Sequence, residues 1–333
     1  MTAMSPSSLR QPALFLAFLA LLSCPSPTLA SEAAFSPDGS AVFAVCDTEN
    51  TLEKISEGEG TLRKVEIDLG GRRGCFRGIT GSDQGGFYLV TEHRLWHWKP
   101  GDKAAELVKE APKDTILTDL ACNRKNGQLM LFAWRTTATD RYGNPVLLAM
   151  NDRKGSLQTV WLRHLTAPVV CAEFLPDGTL LFSTEGDLWH GILTVGGSGP
   201  GELAAYRYAP LAQRYNYNGT SMEEGVESIA VSARKAYVYI KRMGGSGDGH
   251  VSRLDLPPPM KDGMFKARNS LKEMLAAMKS VEELDGTESW PSLCGSPDGK
   301  RVYFADGSGP GRRHFLIKDD GEGAPFKTKA ADE

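Results

Sequence analysis

A short turn recurs along this chain between strand-like runs, and its repetition constrains the fold more than any other feature. It reads Ser36-Pro37-Asp38-Gly39, Ser82-Asp83-Gln84-Gly85, Lys125-Asn126-Gly127 and Pro176-Asp177-Gly178. It returns in degenerate form as Ser232-Ala233-Arg234-Lys235 and then as Ser296-Pro297-Asp298-Gly299. The residue types suit a tight hairpin. Proline fixes φ, Asp or Asn bonds its own backbone, and glycine accepts positive φ. The runs that follow (86–91, 128–134, 179–183, 236–240 and 301–304) are rich in β-branched and aromatic residues, as strands are. Two repeats share a further step: Thr91-Glu92-His93-Arg94-Leu95-Trp96-His97 matches Thr184-Glu185-Gly186-Asp187-Leu188-Trp189-His190, which places a Leu-Trp-His sequence on a third strand.

Successive turns lie roughly 45 to 65 residues apart, room for four strands and their loops. A lone four-stranded sheet leaves both faces wet, whereas a ring of such sheets buries them. The expected fold is therefore all-β, a six-bladed β-propeller with blades at 31–70, 74–112, 115–164, 168–215, 225–287 and 289–333. The alternative is a seventh blade inside the long fifth segment. That segment also predicts a short helical insertion: Ser270-Leu271-Lys272-Glu273 reads as a capping box, and Leu271, Met274, Leu275, Met278 and Val281 follow at helical spacing. Three glycine-rich stretches (196–201, 244–249, 306–311) lack the Lys-Ser/Thr of a phosphate-binding loop and read as hairpins. The Ser-Pro-Asp-Gly turns with their apolar strands resemble the repeats of bacterial periplasmic Tol-type propellers, and the resemblance covers most of the chain after residue 30.

Residues 1–30 read as a secretory signal peptide: Arg10, an apolar run from Pro12 to Leu22, and small residues at Thr28-Leu29-Ala30. The rival reading lipidates Cys24 after Leu21-Leu22-Ser23, giving a lipid anchor. No stretch is long enough for a transmembrane helix. The expected location is extracytoplasmic, periplasmic or secreted. A net charge of −3 with no basic face argues against a nucleic-acid partner. Cys46, Cys75, Cys122, Cys171 and Cys294 are spread along the repeats and read mainly as small buried hydrophobes, with a Cys46–Cys75 disulfide as an alternative. Tyr206, Tyr208, Tyr215 and Tyr217 cluster between blades four and five, as loop anchors or as a ligand wall.

One constellation suggests a site. The innermost strand of each blade precedes the turn and borders the central channel. Arg77, Asp119 and Glu227 each lie eight residues before the turn's glycine slot, with Glu32, Cys171 and Ser292 one step further along and Glu173 beyond Cys171. Glu92, Glu185 and Asp306 end second strands near the same mouth. Arg77, Asp119, Glu173 and Glu227 are thus candidate ligand-binding residues, and clustered carboxylates suit calcium, with Asp119 and Glu227 as its ligands. The competing expectation is that Arg77 pairs with a carboxylate to stitch blades together. Glu224-Gly225-Val226-Glu227-Ser228-Ile229-Ala230 also resembles the Glu-Gly-Ile-Ala motif of the esterase-like phytase and gluconolactonase-type six-bladed propellers, which implies a metal-binding glutamate at Glu227; Ser228 departs from the motif. His97 and His190 recur at one repeat position, which favours packing. There is no Gly-x-Ser-x-Gly elbow.

Two functions follow as expectations: a ligand- or protein-binding module of the cell envelope with an envelope protein or small molecule as partner, or a calcium-dependent hydrolase of phosphoesterase or lactonase type acting at the channel.

Overall fold

A computed structural model of the chain describes residues 32–56, 62–137, 144–162, 169–184, 187–196, 199–210, 214–217, 220–232, 235–243, 249–256, 278–284, 292–306, 313–318 and 323–324, some of the later strands by backbone alone. Among these residues the regular elements are all β-strands. The first blade holds β1 (Ala33–Phe35), β2 (Ala41–Val45), β3 (Thr51–Ser56) and β4 (Leu62–Glu66). The second holds β5 (Gly78–Gly81), β6 (Phe87–Thr91), β7 (Arg94–Trp98) and β8 (Glu106–Glu110). The third runs through β9 (Thr115–Asn123), β10 (Gln128–Arg135), β11 (Asn144–Met150) and β12 (Gln158–Leu162), the fourth through β13 (Val169–Phe174), β14 (Leu180–Thr184), β15 (Asp187–Thr194) and β16 (Gly201–Pro210). The fifth takes β17 (Arg214–Tyr217), β18 (Thr220–Ser232), β19 (Lys235–Met243), β20 (Gly249–Asp255) and β21 (Met278–Leu284), and the sixth β22 (Ser292–Gly295), β23 (Arg301–Asp306), β24 (Arg313–Lys318) and β25 (Gly323–Ala324).

Consecutive strands within each blade pair antiparallel. The inner strands β1, β5, β9, β13, β18 and β22 pack side by side in that order, and β22 returns to β1, so the ring of described sheets is closed. Apolar clusters fill the gaps between blades. Between the first two, Phe43 lies 5.0 Å from Phe87 and 5.4 Å from Trp98, ring centre to ring centre. Burying each such ring contributes about 2–3 kcal/mol, so the blades are held by their neighbours more than by themselves.

The recurring turn works as its chemistry dictates. In the first blade the Ser36 hydroxyl donates to Asp38 Oδ1 (2.6 Å), Ser40 N donates to the same oxygen (3.0 Å), and Gly39 takes φ +72°. These bonds hold the Asp38 carboxyl down at about 2. The sixth blade repeats the arrangement with Ser296, Asp298, Lys300 and Gly299. The Leu-Trp-His step is equally regular. Trp96 Nε1 donates to Thr91 Oγ1 (3.2 Å) and Trp189 Nε1 to Thr184 Oγ1 (2.7 Å). His97 and His190 are buried and reach back to the turn, through Ser82 Oγ (3.1 Å) and Thr179 Oγ1 (2.7 Å). The Thr179 hydroxyl donates to Asp177, so it accepts from His190.

Three expectations change. Met278 and Val281, placed on a helix by their spacing, lie in strand β21, where Met278 pairs with Leu254 and Ser280 with Ser252; cross-strand hydrogen bonding to β20 overrides an ambiguous i, i+3 pattern. The rest of the expected helix, 270–277, falls outside the described residues. Tyr215 and Tyr217, placed in the link between blades four and five, lie in β17, which pairs with β18 on the inner side of the fifth sheet. Blades three and four are joined at the rim: β12 pairs in parallel with β16 (Val160 with Gly201, Trp161 with Glu202, Leu162 with Leu203), making one curled eight-stranded sheet.

At the seam between blades six and one, Ser292 Oγ donates to Glu32 Oε2 (2.9 Å) and Arg301 Nη2 to the Gly39 carbonyl (3.1 Å), while Arg301 lies over Phe35. One step around, Gly295 of β22 runs so close to β18 that a Cβ there would collide with the Val231 carbonyl oxygen. Backbone on both sides leaves no room to yield. Gly295→Ala is therefore expected to cost about 2–4 kcal/mol in denaturant unfolding, against less than about 0.5 kcal/mol for Gly199→Ala, which has open space.

Candidate functional site

The inner strands set the depth of each channel residue. Counting back from the residue that opens each turn (Ser36, Ser82, Asn123, Leu175, Ser232 and Ser296), the fourth position holds Glu32, Gly78, Asp119, Cys171, Ser228 and Ser292. One level of the ring is thus free of large apolar side chains. Three of its strands carry a bulge immediately before this level: Thr118, Val170 and Glu227 are the extra residues where β9, β13 and β18 slip against their partners. A bulge re-aims the side chains around it and is frequent beside binding sites. Arg77 precedes Gly78, so Arg77 and Glu227 sit one step above Asp119 rather than level with it.

Among the described side chains, Arg77 and Asp119 contact different partners. Arg77 Nη2 lies 3.3 Å from Glu92 Oε2, at the turn joining two strands of its own blade, and both are partly exposed. This is the expected neighbourhood of Glu92, but as an ion partner. Asp119 is buried. Its Oδ1 accepts from Leu120 N (2.7 Å), and the carboxylate fills the space that Gly78 leaves open: a Cβ at residue 78 would stand 2.7 Å from that oxygen. Glu227 has its backbone at the β18 bulge, with its side chain outside the described atoms, as are Glu185 and the side chain of Asp306. Among the described residues no group of three or more His, Cys, Asp or Glu converges as a metal site would.

Glu173 stands two residues deeper than Cys171, about 7 Å along the strand. Its counterparts are Ala34, Thr80, Ala121, Ala230 and Cys294, all small, so it is the single long side chain at that level. Burial pushes its carboxyl up to about 7, with Arg124 pulling weakly the other way. Burial also pushes the Cys294 thiol up, and the charges of Arg124 and Glu173 both reach it across the ring. Arg124 is the residue that the sequence did not flag. It lies in the β9–β10 turn, and its guanidinium packs on β5, where a Cβ at Gly81 would stand 2.5 Å from Nη2. A glycine facing a turn arginine is the only signal, and it becomes visible once the two blades are adjacent.

Tyr208 is fully buried in the core between blades four and five. The backbones of Tyr206, Tyr215 and Tyr217 lie in strands. All five described cysteines are free: Cys122, Cys171 and Cys294 are buried, and Cys46 and Cys75 form no disulfide.

The perturbed groups give a pH signature. Folded Glu173 keeps its proton up to about 7, above the ordinary 4.5, so over that interval the folded chain binds more protons than the unfolded one and stability falls as pH rises. His97, whose proton affinity burial lowers, acts oppositely: the unfolded chain takes up its proton first below 6.5, so stability falls on acidification. Urea unfolding of Glu173→Gln is expected to remove a decline of order 2 kcal/mol between about pH 5 and pH 8 while leaving the acid-side loss in place.

No protein-family model matches this chain, and no curated protein does. Solved structures do. The chain is similar to regucalcin from Agrobacterium tumefaciens, titled a calcium-binding protein (12% identity, 84% of this chain and 82% of that one, TM-score 0.51). It is similar to TolB from Acinetobacter baumannii (13% identity, 87% of this chain and 61% of that one, TM-score 0.51) and to a putative gluconolactonase (14% identity, 88% and 89%, TM-score 0.50). Identities this low establish the fold alone. The chain has the β-propeller fold that these structures share, and its chemistry has to be read from its own residues.

Proposed function

We propose that the chain is an exported binding module of the cell envelope and that it docks a partner protein on the joined rim of blades three and four. The observation that carries this reading is Trp161, whose surface is 66% exposed. The pairing of β12, β16 and β15 puts Trp161, Glu202, Ala204, Ile192 and Thr194 on one face, opposite the buried Val160, Leu193 and Leu203. Ile192 is also an exposed large hydrophobic. An exposed Trp on a sheet face shared with Ile192, Ala204 and Thr194, and flanked by the charged Glu202, has the composition of an interface anchor with a polar edge. The signal-like residues 1–30 support an extracytoplasmic location, and Cys24, if lipidated, would hold the module at the membrane surface.

A photo-crosslinking residue placed at 161 is expected to give one discrete adduct in intact envelopes, and one placed at exposed Lys300 none. Trp161→Ser should lower recovery of that adduct's partner at least tenfold with folding unchanged. Equal labelling from 161 and 300 would overturn the reading.

A second reading is a calcium-dependent hydrolase, phosphoesterase or lactonase, at the channel. It is supported by the placement of Asp119 beside one inner-strand bulge and Glu227 on another. Both would supply carboxylate oxygens to calcium, and the ion would polarise a carbonyl or phosphoryl oxygen. Arg77 would have to leave Glu92 to hold an anionic group. Thermal unfolding in EDTA and then in millimolar calcium tests it: a rise of several degrees that Glu227→Gln abolishes is the expected result, and no shift would rule it out.

A further inference from the structure

The link from blade one to blade two crosses the turn between β2 and β3, and each of the two segments carries a cysteine. Asn50, in the left-handed region at φ +54°, ties them together. Its N donates to the Gly74 carbonyl (3.0 Å), its Oδ1 accepts from Gly74 N (3.0 Å), and its Nδ2 donates to the Arg72 carbonyl (2.9 Å). Cys75 follows directly, with its Sγ 3.7 Å from the carbonyl oxygen of Asp47, the neighbour of Cys46. Cys46 Sγ lies 3.4 Å from the Thr51 carbonyl, and the two thiols are close enough for one to perturb the other's ionisation. Thiol-to-carbonyl contacts are weak and readily exchanged.

Accessibility separates this pair from the other cysteines. Cys75 is exposed and Cys46 half-buried, whereas Cys122, Cys171 and Cys294 are buried, with Cys171 bonded to Ser183. Burial and the carboxylates of Asp47, Glu49 and Glu53 disfavour the thiolates of Cys46 and Cys75, so their reaction should be slow at neutral pH and faster as pH rises.

We propose that Cys46 and Cys75 are a reversible dithiol–disulfide pair that, when oxidised, clips the blade one–two link to the β2–β3 turn. The bond would fix the segment that delivers Arg77 to the channel entrance. The oxidant is an organic disulfide. The Cys75 thiolate attacks one of its sulfurs and releases one thiol. The Cys46 thiolate then attacks the Cys75 sulfur of the mixed disulfide and releases the second. Two protein thiols become one disulfide, one organic disulfide becomes two thiols, and the protons pass to the released thiolates.

The test is incubation of the full chain with oxidised glutathione at about pH 8, acid quenching, alkylation and peptide mapping. The expected product links the peptides containing Cys46 and Cys75 and carries no glutathione. Its melting temperature should rise by several degrees and return with dithiothreitol. Cys46→Ser should stop at a single glutathione on Cys75. A wild-type chain that also stops at the mixed disulfide would show that the sulfurs cannot reach bonding geometry and would overturn the proposal. So would a Cys75 that stays fully alkylatable. The wild-type map is decisive even if the variant does not fold.

Discussion

Closure of the ring is the constraint on which the rest of this structure depends. Blades one and six are each built from contiguous strands, β1–β4 and β22–β25, and among the described residues no strand from one terminus completes the sheet of the other. The seam is instead held by an apolar cluster (Phe35, Val42, Ile55, Cys294, Tyr303) and by two polar contacts, Ser292 to Glu32 and Arg301 to Gly39. A small apolar pocket at this seam is lined by Phe35, Ile55, Tyr303 and Leu316. If the seam opens, β1 and β22 each lose an inner neighbour and the ring is no longer closed.

The channel owes its character to the same closure. Inner strands approach so closely that Gly78 must lack a side chain beside Asp119, and Gly295 beside Val231. At the level of Gly78 the inner strands carry only small or polar residues, and three strands absorb an extra residue as a bulge at matching depth. Charge in the channel is therefore tightly managed. Asp119 Oδ1 accepts from the Leu120 backbone, Arg77 pairs with Glu92, and Glu173 keeps its proton up to about neutrality.

The outside follows a different logic. Pairing β12 with β16 removes two free strand edges, which would otherwise invite aggregation, and turns two blades into one stiff wall. A stiff wall with one exposed tryptophan loses little entropy on docking, which suits recognition better than a mobile loop would.

The sequence by itself determined the repeat and its local chemistry. Proline, aspartate and glycine can make only this kind of turn, and the Thr-to-Trp and His-to-turn bonds recur because they span a few residues within one hairpin. The inner-strand residues were also legible to within one position; the offset came from the third blade's turn, where Gly127 N bonds back to Asn123 across one residue more than in the Ser36, Leu175 and Ser296 turns, so that counting from the glycine put Asp119 level with Arg77 and Glu227. Tertiary structure decided everything that depends on which blades touch. The Arg124–Gly81 contact, the rim pairing of β12 with β16 and the strand at Met278–Leu284 all join segments distant in sequence, or turn on edge hydrogen bonds that any residue can supply. Turn chemistry is local and written in residue identity, whereas sheet edges and channel depth belong to the backbone and appear only when the ring is closed.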